Sequence, residues 1–413
     1  AQTVANAARS QPFQGDASEA QAATLQLLRQ AVQGQREADV PLGTFLSGGI
    51  DSSLITALLV EQSQQPVQSF TIGFREQGYD EAPFAAQIAR HLGTAHTELY
   101  VTDAEARAVI PTLPDLYDEP FADSSQIPTY LVAKMARAQV TVALSGDGGD
   151  ELFGGYNRYA WATRIWRRTG GLPQGVRGAM AALLQSAPPQ AWDRLFNVLP
   201  ARTRPPAAGD KLHKLAQVLR QNSQQMLYRQ LASLWPEPGQ LVSASEPSSN
   251  WMAAWDVIAP DFTQQMMLAD TVSYLPDDIM VKVDRAAMGV SLETRAPYLD
   301  HRLFELAWHL PLSMKIRDGQ SKWILRRLLD RYVPSAMLDR PKQGFGVPID
   351  TWLRGPLRAW AEALLDEERL RREGWFNPEP IRQAWREHLS GQRNWQHRLW
   401  VILMFQAWQE RWL

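Results

Sequence analysis

Short apolar runs alternate with helical spacings through the first 150 residues. VPLGTFL (40–46), VQSFTIGF (67–74), HTELYV (96–101) and VTVALS (140–145) are apolar or β-branched runs of strand length. Between them, apolar residues three and four apart predict helices over 52–62, 80–92 and 127–138. An earlier helix is predicted over 18–33. Asp16-Ala17-Ser18-Glu19 has the form of a capping box, and Ala22, Leu25, Leu28 and Ala31 follow at helical spacing. Strand–helix alternation of this kind predicts an α/β fold: a parallel sheet with helices on both faces. Ligands of such sheets bind beyond the carboxyl ends of the strands.

After residue 190 the spacing is mostly helical, as in DRLFNVL, SKWILRRLLDRYV and HRLWVILMFQAWQERWL, while 200–211 and 236–250 predict loops. All 16 tryptophans lie at or after Trp161, which separates a Gly/Ser/Asp-punctuated first part from a Trp- and Arg-rich second part. The resulting partition is a linker over 1–17, an α/β domain over 18–190 and a mainly helical portion over 191–413.

Composition narrows the chemistry. A net charge of −2 over 413 residues gives no electrostatic reason to expect nucleic acid or a membrane surface as partner. The absence of cysteine removes disulfides, thiolate–zinc sites and a thiol nucleophile within the chain. No apolar run approaches a bilayer span, and the first residues lack the apolar centre of a signal peptide, so a cytoplasmic location is expected. With no initiator methionine, the expectation is a fragment of something longer. The seven histidines are scattered without metal-ligand spacing and read as structural.

Two stretches carry chemistry. Ser47-Gly48-Gly49-Ile50-Asp51-Ser52-Ser53 follows a predicted strand and opens a predicted helix. Glycines there let the main chain approach a ligand, and a helix N-terminus favours an anion such as a phosphate. Asp51 makes sense beside a phosphate if a Mg²⁺ lies between them. The motif is neither a Walker A loop, since no lysine precedes Ser or Thr, nor a dinucleotide GxGxxG. The bland alternative is a glycine-rich turn with Asp51 and Ser52 as caps. VALSGDGGDELFGGYNRY (142–159) repeats the logic at the end of another strand. Asp150 is placed to supply a second Mg²⁺ carboxylate, leaving Asp147 to orient or deprotonate a nucleophile. Lys282 with Arg285, and Lys322 with Arg326, are basic pairs at helical spacing. Each pair either faces an acidic substrate or belongs to a salt-bridged packing motif.

Together SGGIDSS and LSGDGGDELFGGY closely resemble the synthetase domain of glutamine-dependent asparagine synthetases, within the wider group of ATP pyrophosphatases. The stretches 69–101, 118–137, 275–311 and 340–357 agree, and the resemblance runs from about Pro12 to the end. It implies that Leu46, Ser47, Gly48, Gly49, Asp51, Ser52 and Ser53 hold the phosphates of ATP. It implies further that Ile72 and Ser145-Gly146 bracket adenosine, that Asp51 and Asp150 bind Mg²⁺, and that Lys342 in RPKQGFG stabilises negative charge during amide formation. Relatives similar to the enteric bacterial enzyme carry a glutamate where Asp147 stands. The implied reaction activates a carboxylic acid, aspartate by default, as its acyl-AMP with release of pyrophosphate, and ammonia then gives the amide. Relatives also amidate other acids, such as uronic acids, and a nucleotide-binding paralogue without turnover is the alternative from another class. The implied partner is a glutaminase domain with an N-terminal cysteine, absent from these residues, and a homodimer is a further expectation.

Overall fold

In a computed structural model the protein is described over residues 1–74, 81–198, 208–235, 237–242, 255, 261–338 and 346–413. Its described residues form two compact units, both discontinuous along the chain. One comprises 1–119, 123–157 and 249–347, and the other 120–122, 158–248 and 348–413. The segment 158–248 of the second unit interrupts the chain of the first.

The first unit begins with helix α1 (Gln2–Ser10), on residues read from sequence as a linker. It packs on a later helix, α8 (His301–His309), and the Phe13 N–H donates to the His309 carbonyl at 2.9 Å. Helix α2 (Ala17–Gln35) starts where the capping box predicts. The Asp16 carboxylate accepts from the Ser18 and Glu19 N–H groups at 2.7 and 2.9 Å, and Glu19 accepts in return from the Asp16 N–H at 2.7 Å.

The sheet follows: β1 (Leu42–Phe45), α3 (Ile50–Glu61), β2 (Gln68–Phe74), α4 (Ala82–Leu92), β3 (Ala95–Val101), α5 (Gln126–Arg137) and β4 (Val142–Leu144). These match the predicted elements to within a few residues. After β4 come the short helix α6 (Gly149–Phe153), then α7 (Val281–Met288) and a fifth strand, β5 (Glu293–Arg295), which the apolar pattern did not predict. The strand order is β3-β2-β1-β4-β5, all parallel, with Thr44 opposite Ser69 on one side and Leu144 on the other. Order reverses at β1, so β1 and β4 diverge into connections on opposite sides and leave a crevice beyond their carboxyl ends. The Thr44 hydroxyl donates to the Leu144 carbonyl at 3.2 Å, tying the two strands together there.

One core joins Leu28 and Val32 of α2, Leu54 and Leu58 of α3, Ile88 of α4 and Leu325 and Leu328 of α9 (Trp323–Leu329). Helix α5 packs on β2 and α7 and shares no residue with that core, so the sheet is flanked by two groups of helices. The second unit is helical among its described residues, with Trp352, Trp385 and Trp400 fully buried. His388 is buried there, and burial pushes it down to about 4, in keeping with a structural neutral imidazole. Among the described residues no helix is long and apolar enough to cross a membrane.

Candidate active site

A cavity of about 800 Å³ opens at the carboxyl ends of β1, β2 and β4, within the first unit. Its floor is the turn from β1 into α3. Gly48 takes a left-handed φ of 72°, which lets the chain reverse into the helix without strain. Gly49 is the N-cap and has no side chain to satisfy the first-turn N–H groups of α3. Those donors and the positive end of the helix therefore face the cavity, an arrangement suited to an anion. Ser47 and Ser52 brace the turn: their hydroxyls lie 3.0 Å apart, and the Ser47 N–H donates to Ser52 Oγ at 3.2 Å.

The loop after β4 closes on this turn. A Cβ at Gly146 would stand 2.8 Å from the Ser52 nitrogen, and one at Gly149 would collide with Asp51 Oδ1. Only glycine permits this approach, which brings Asp150 beside Asp51 from 99 residues away in the chain. Both carboxylates meet the Lys322 ammonium, 2.6 Å from Asp150 Oδ1 and in contact with Asp51 Oδ2. Spacing alone left Lys322 open; it is the N-cap of α9, its side chain only 5% exposed. Burial alone would lower its pKa, but the two carboxylates more than offset this and raise it, so the amine stays charged.

Lys282, the other basic residue left open, lines the same cavity. Its ammonium is 2.8 Å from Asp123 Oδ2, and Asp123 also accepts from the Ser125 N–H and hydroxyl at 2.9 and 2.8 Å. Arg285 points elsewhere, pairing with Asp118 at 2.7 Å and Asp284 at 3.1 Å. Asp147 lies on the cavity wall between these two ion-pair systems. Burial pushes its carboxyl above the ordinary aspartate range; the Ser145 hydroxyl and Lys282 oppose the shift, while the nearby Asp150 and Asp51 carboxylates add to it. Behind the loop the buried Glu151 accepts from the Tyr156 hydroxyl at 2.5 Å and is pushed up to about 7, chiefly by burial.

Of the residues singled out from sequence, Leu46, Ser47, Gly48, Gly49, Asp51 and Ser52 line the cavity on the β1 side. Ile72, Ser145, Gly146, Asp147 and Asp150 line it from β2 and β4. Ser53 does not; it is fully buried on the core side of α3. Lys342 lies outside the described residues.

The donor set bears on a divalent metal. Among the described residues no group of three or more His, Cys, Asp or Glu side chains could hold an ion. The site offers two carboxylates beside the uncapped N-terminus of α3. That fits Mg²⁺, which takes one or two carboxylates and completes its shell with water and substrate phosphates. Asp51 and Asp150 are the residues that would hold it.

Comparison with known proteins adds the family. The asparagine synthase family model matches residues 23–410. The chain belongs to the asparagine synthase family. It is 29% identical over 392 residues to asparagine synthetase [glutamine-hydrolyzing] 1 of Bacillus subtilis, covering 92% of this chain and 57% of that protein. A Mycobacterium bovis protein provisionally named a glutamine-hydrolysing asparagine synthetase is 33% identical over 397 residues, covering 92% of this chain and 56% of its own. Asparagine synthetase B of Escherichia coli is 34% identical over 149 residues, 32% of this chain and 26% of that protein. The chain thus spans little more than half the length of the first two relatives. Within the family match fall both loops, Lys322, which meets them, and Lys282, which lines the same cavity.

Proposed function

We propose that this chain is the ATP-dependent, amide-forming part of an asparagine synthetase-type ligase, with aspartate as the carboxylic acid. The observation that carries the reading is the convergence of Asp51 and Asp150 on one cation beside the uncapped N-terminus of α3. That is a place built for a charged polyphosphate at the switch point of a parallel sheet.

In this reading the ATP triphosphate lies along Ser47–Ser52 with adenosine toward Ile72 and Ser145-Gly146. An oxygen of the substrate carboxylate attacks the α-phosphorus, and the bond from that phosphorus to the bridging oxygen breaks, releasing pyrophosphate. Ammonia then attacks the acyl carbon; the bond to AMP breaks, and the nitrogen loses a proton. Asp147 is the group on the cavity wall suited to take that proton, since a raised pKa brings a carboxylate nearer to the working range of a base. Bound Mg²⁺ would offset the negative charge that otherwise keeps carboxylate and triphosphate apart. The chain's own part is positioning: two reactants that repel are held in line by N–H donors and fixed loops. Lys342 enters as a second cation toward the developing charge. Ammonia would come from a glutaminase partner, in line with the relatives being named glutamine-hydrolysing.

The test is pyrophosphate release with ATP, Mg²⁺ and ammonium against a panel of carboxylic acids. Turnover with aspartate supports the full reading. Turnover with another acid alone replaces the substrate, and no release with any acid overturns the ligase reading.

A further inference from the structure

The cation joining Asp51 and Asp150 in this structure belongs to the protein itself. The Lys322 ammonium sits where an ion shared by the two carboxylates would sit, in contact with one oxygen of each. Its position is built in. Lys322 adopts a left-handed backbone (φ 55°, ψ 35°), a conformation that residues with a Cβ keep only where their surroundings impose it. The stem crosses the backbone of Gly155, where a Cβ would overlap both Lys322 Cε and Asp150 Oδ1. The side chain is almost wholly buried, so it has no solvated position to relax into without leaving the pair.

We propose that Lys322 is the resident counter-cation of the Asp51–Asp150 pair and excludes free divalent metal from it, so that metal enters only together with nucleotide. The inference rests on the metal-site reading of the pair. An ammonium and a divalent ion cannot both lie between the same two oxygens. Free metal would have to expel a buried, doubly paired lysine for two carboxylate ligands, leaving like charges side by side in a site of low polarity. Nucleotide changes the balance, because its phosphate oxygens complete the metal's shell and add the negative charge that three positive charges require.

Mn²⁺ serves as the probe, with bound ion counted by electron paramagnetic resonance on nucleotide-free protein. Wild type is expected to show no stoichiometric site. Lys322→Met, which keeps the apolar stem, is expected to gain one, with affinity about tenfold or more above wild type, because the competing closed state no longer withholds the pair. Adding Asp150→Asn to that variant should abolish the gain. Equal Mn²⁺ affinity in wild type and Lys322→Met, or no site in a folded Lys322→Met, overturns the proposal. Should the variant fail to fold, wild type alone decides. No Mn²⁺ without nucleotide and one per chain with α,β-methylene ATP supports the proposal, and one per chain without nucleotide overturns it. A wild type that ignores the analogue would sink the nucleotide reading above. The Lys322→Met gain is read without nucleotide, so the two failures are told apart.

Discussion

Replacing Lys315 with methionine should stabilise the protein by an amount that falls as pH rises. Lys315 closes a short helix, Leu312–Lys315, and is completely buried. Among the described residues its Nζ has no hydrogen-bond partner, and it lies 5.0 Å from the ring centre of Trp308, itself buried. Burial pulls its pKa from 10.5 to about 7. The unfolded chain therefore holds a proton on this amine between pH 7 and 10.5 that the native protein does not, so native stability climbs with pH across that window. At pH 7 and below the full cost of the buried amine is present, about 5 kcal/mol from the separation of the two pKa values. Methionine matches the aliphatic stem and has no charge to desolvate. The variant should gain most at pH 7, with about 5 kcal/mol as the ceiling. That gain should shrink by about 1.4 kcal/mol per pH unit above it. Urea unfolding followed by tryptophan fluorescence at pH 7 and pH 9 gives the difference directly, because every other titrating group is common to both proteins and cancels. The expected fall between the two is about 2.7 kcal/mol. A gain that does not change with pH, or a loss of stability, would refute the reasoning.

Glu151→Gln should show the opposite pH trend. The carboxyl is raised by burial to about 7, so its cost is absent at low pH, grows from about pH 4.5 and is complete above 7. The variant keeps an acceptor for Tyr156 and should gain about 3 kcal/mol at pH 8, and nothing at pH 4, by the same unfolding assay. Asp51→Asn and Asp150→Asn should each abolish carboxylate-dependent ATP–pyrophosphate exchange while circular dichroism stays native; normal exchange in either would sink the metal assignment. Asp147→Asn should retain exchange but lose amide formation. In wild type, amide formation should decline as pH falls through the raised Asp147 pKa, and an unchanged acid limb in the variant would remove Asp147 from proton transfer. Asp16→Ala removes two accepted N–H bonds from the start of α2 and should cost about 1 kcal/mol in thermal or urea unfolding.

The division between what was legible in the sequence and what was not follows the range of the forces. Apolar runs and helical spacing are local, and they give β1 to β4, α2 to α5 and the capping box to within a few residues. The two glycine loops are legible for the same reason, since close approach demands glycine whatever surrounds it. Strand β5 is different. Glu293, Thr294 and Arg295 have no apolar alternation, and the strand exists because β4 offers an open edge whose Ser145 N–H reaches the Arg295 carbonyl at 2.8 Å. Lys322 was named from sequence, but its role was left open between facing an acidic substrate and helix packing. With Arg326 four residues on, it looked like half of a helical pair, yet its left-handed backbone places it before the helix rather than on a helical face. Its partners, 271 and 172 residues away, leave no periodic trace. The signal that could have found it is charge balance. Two carboxylates brought together beside an anion cradle need a cation even when no metal is bound, and a chain with only a few lysines near its glycine loops has few to offer. The same reasoning explains why Lys282 sits against Asp123 rather than in open space. In both places the structure supplies the positive charge that lets a carboxylate be buried, although Asp123, unlike Asp51 and Asp150, carries no motif that marks it in the sequence.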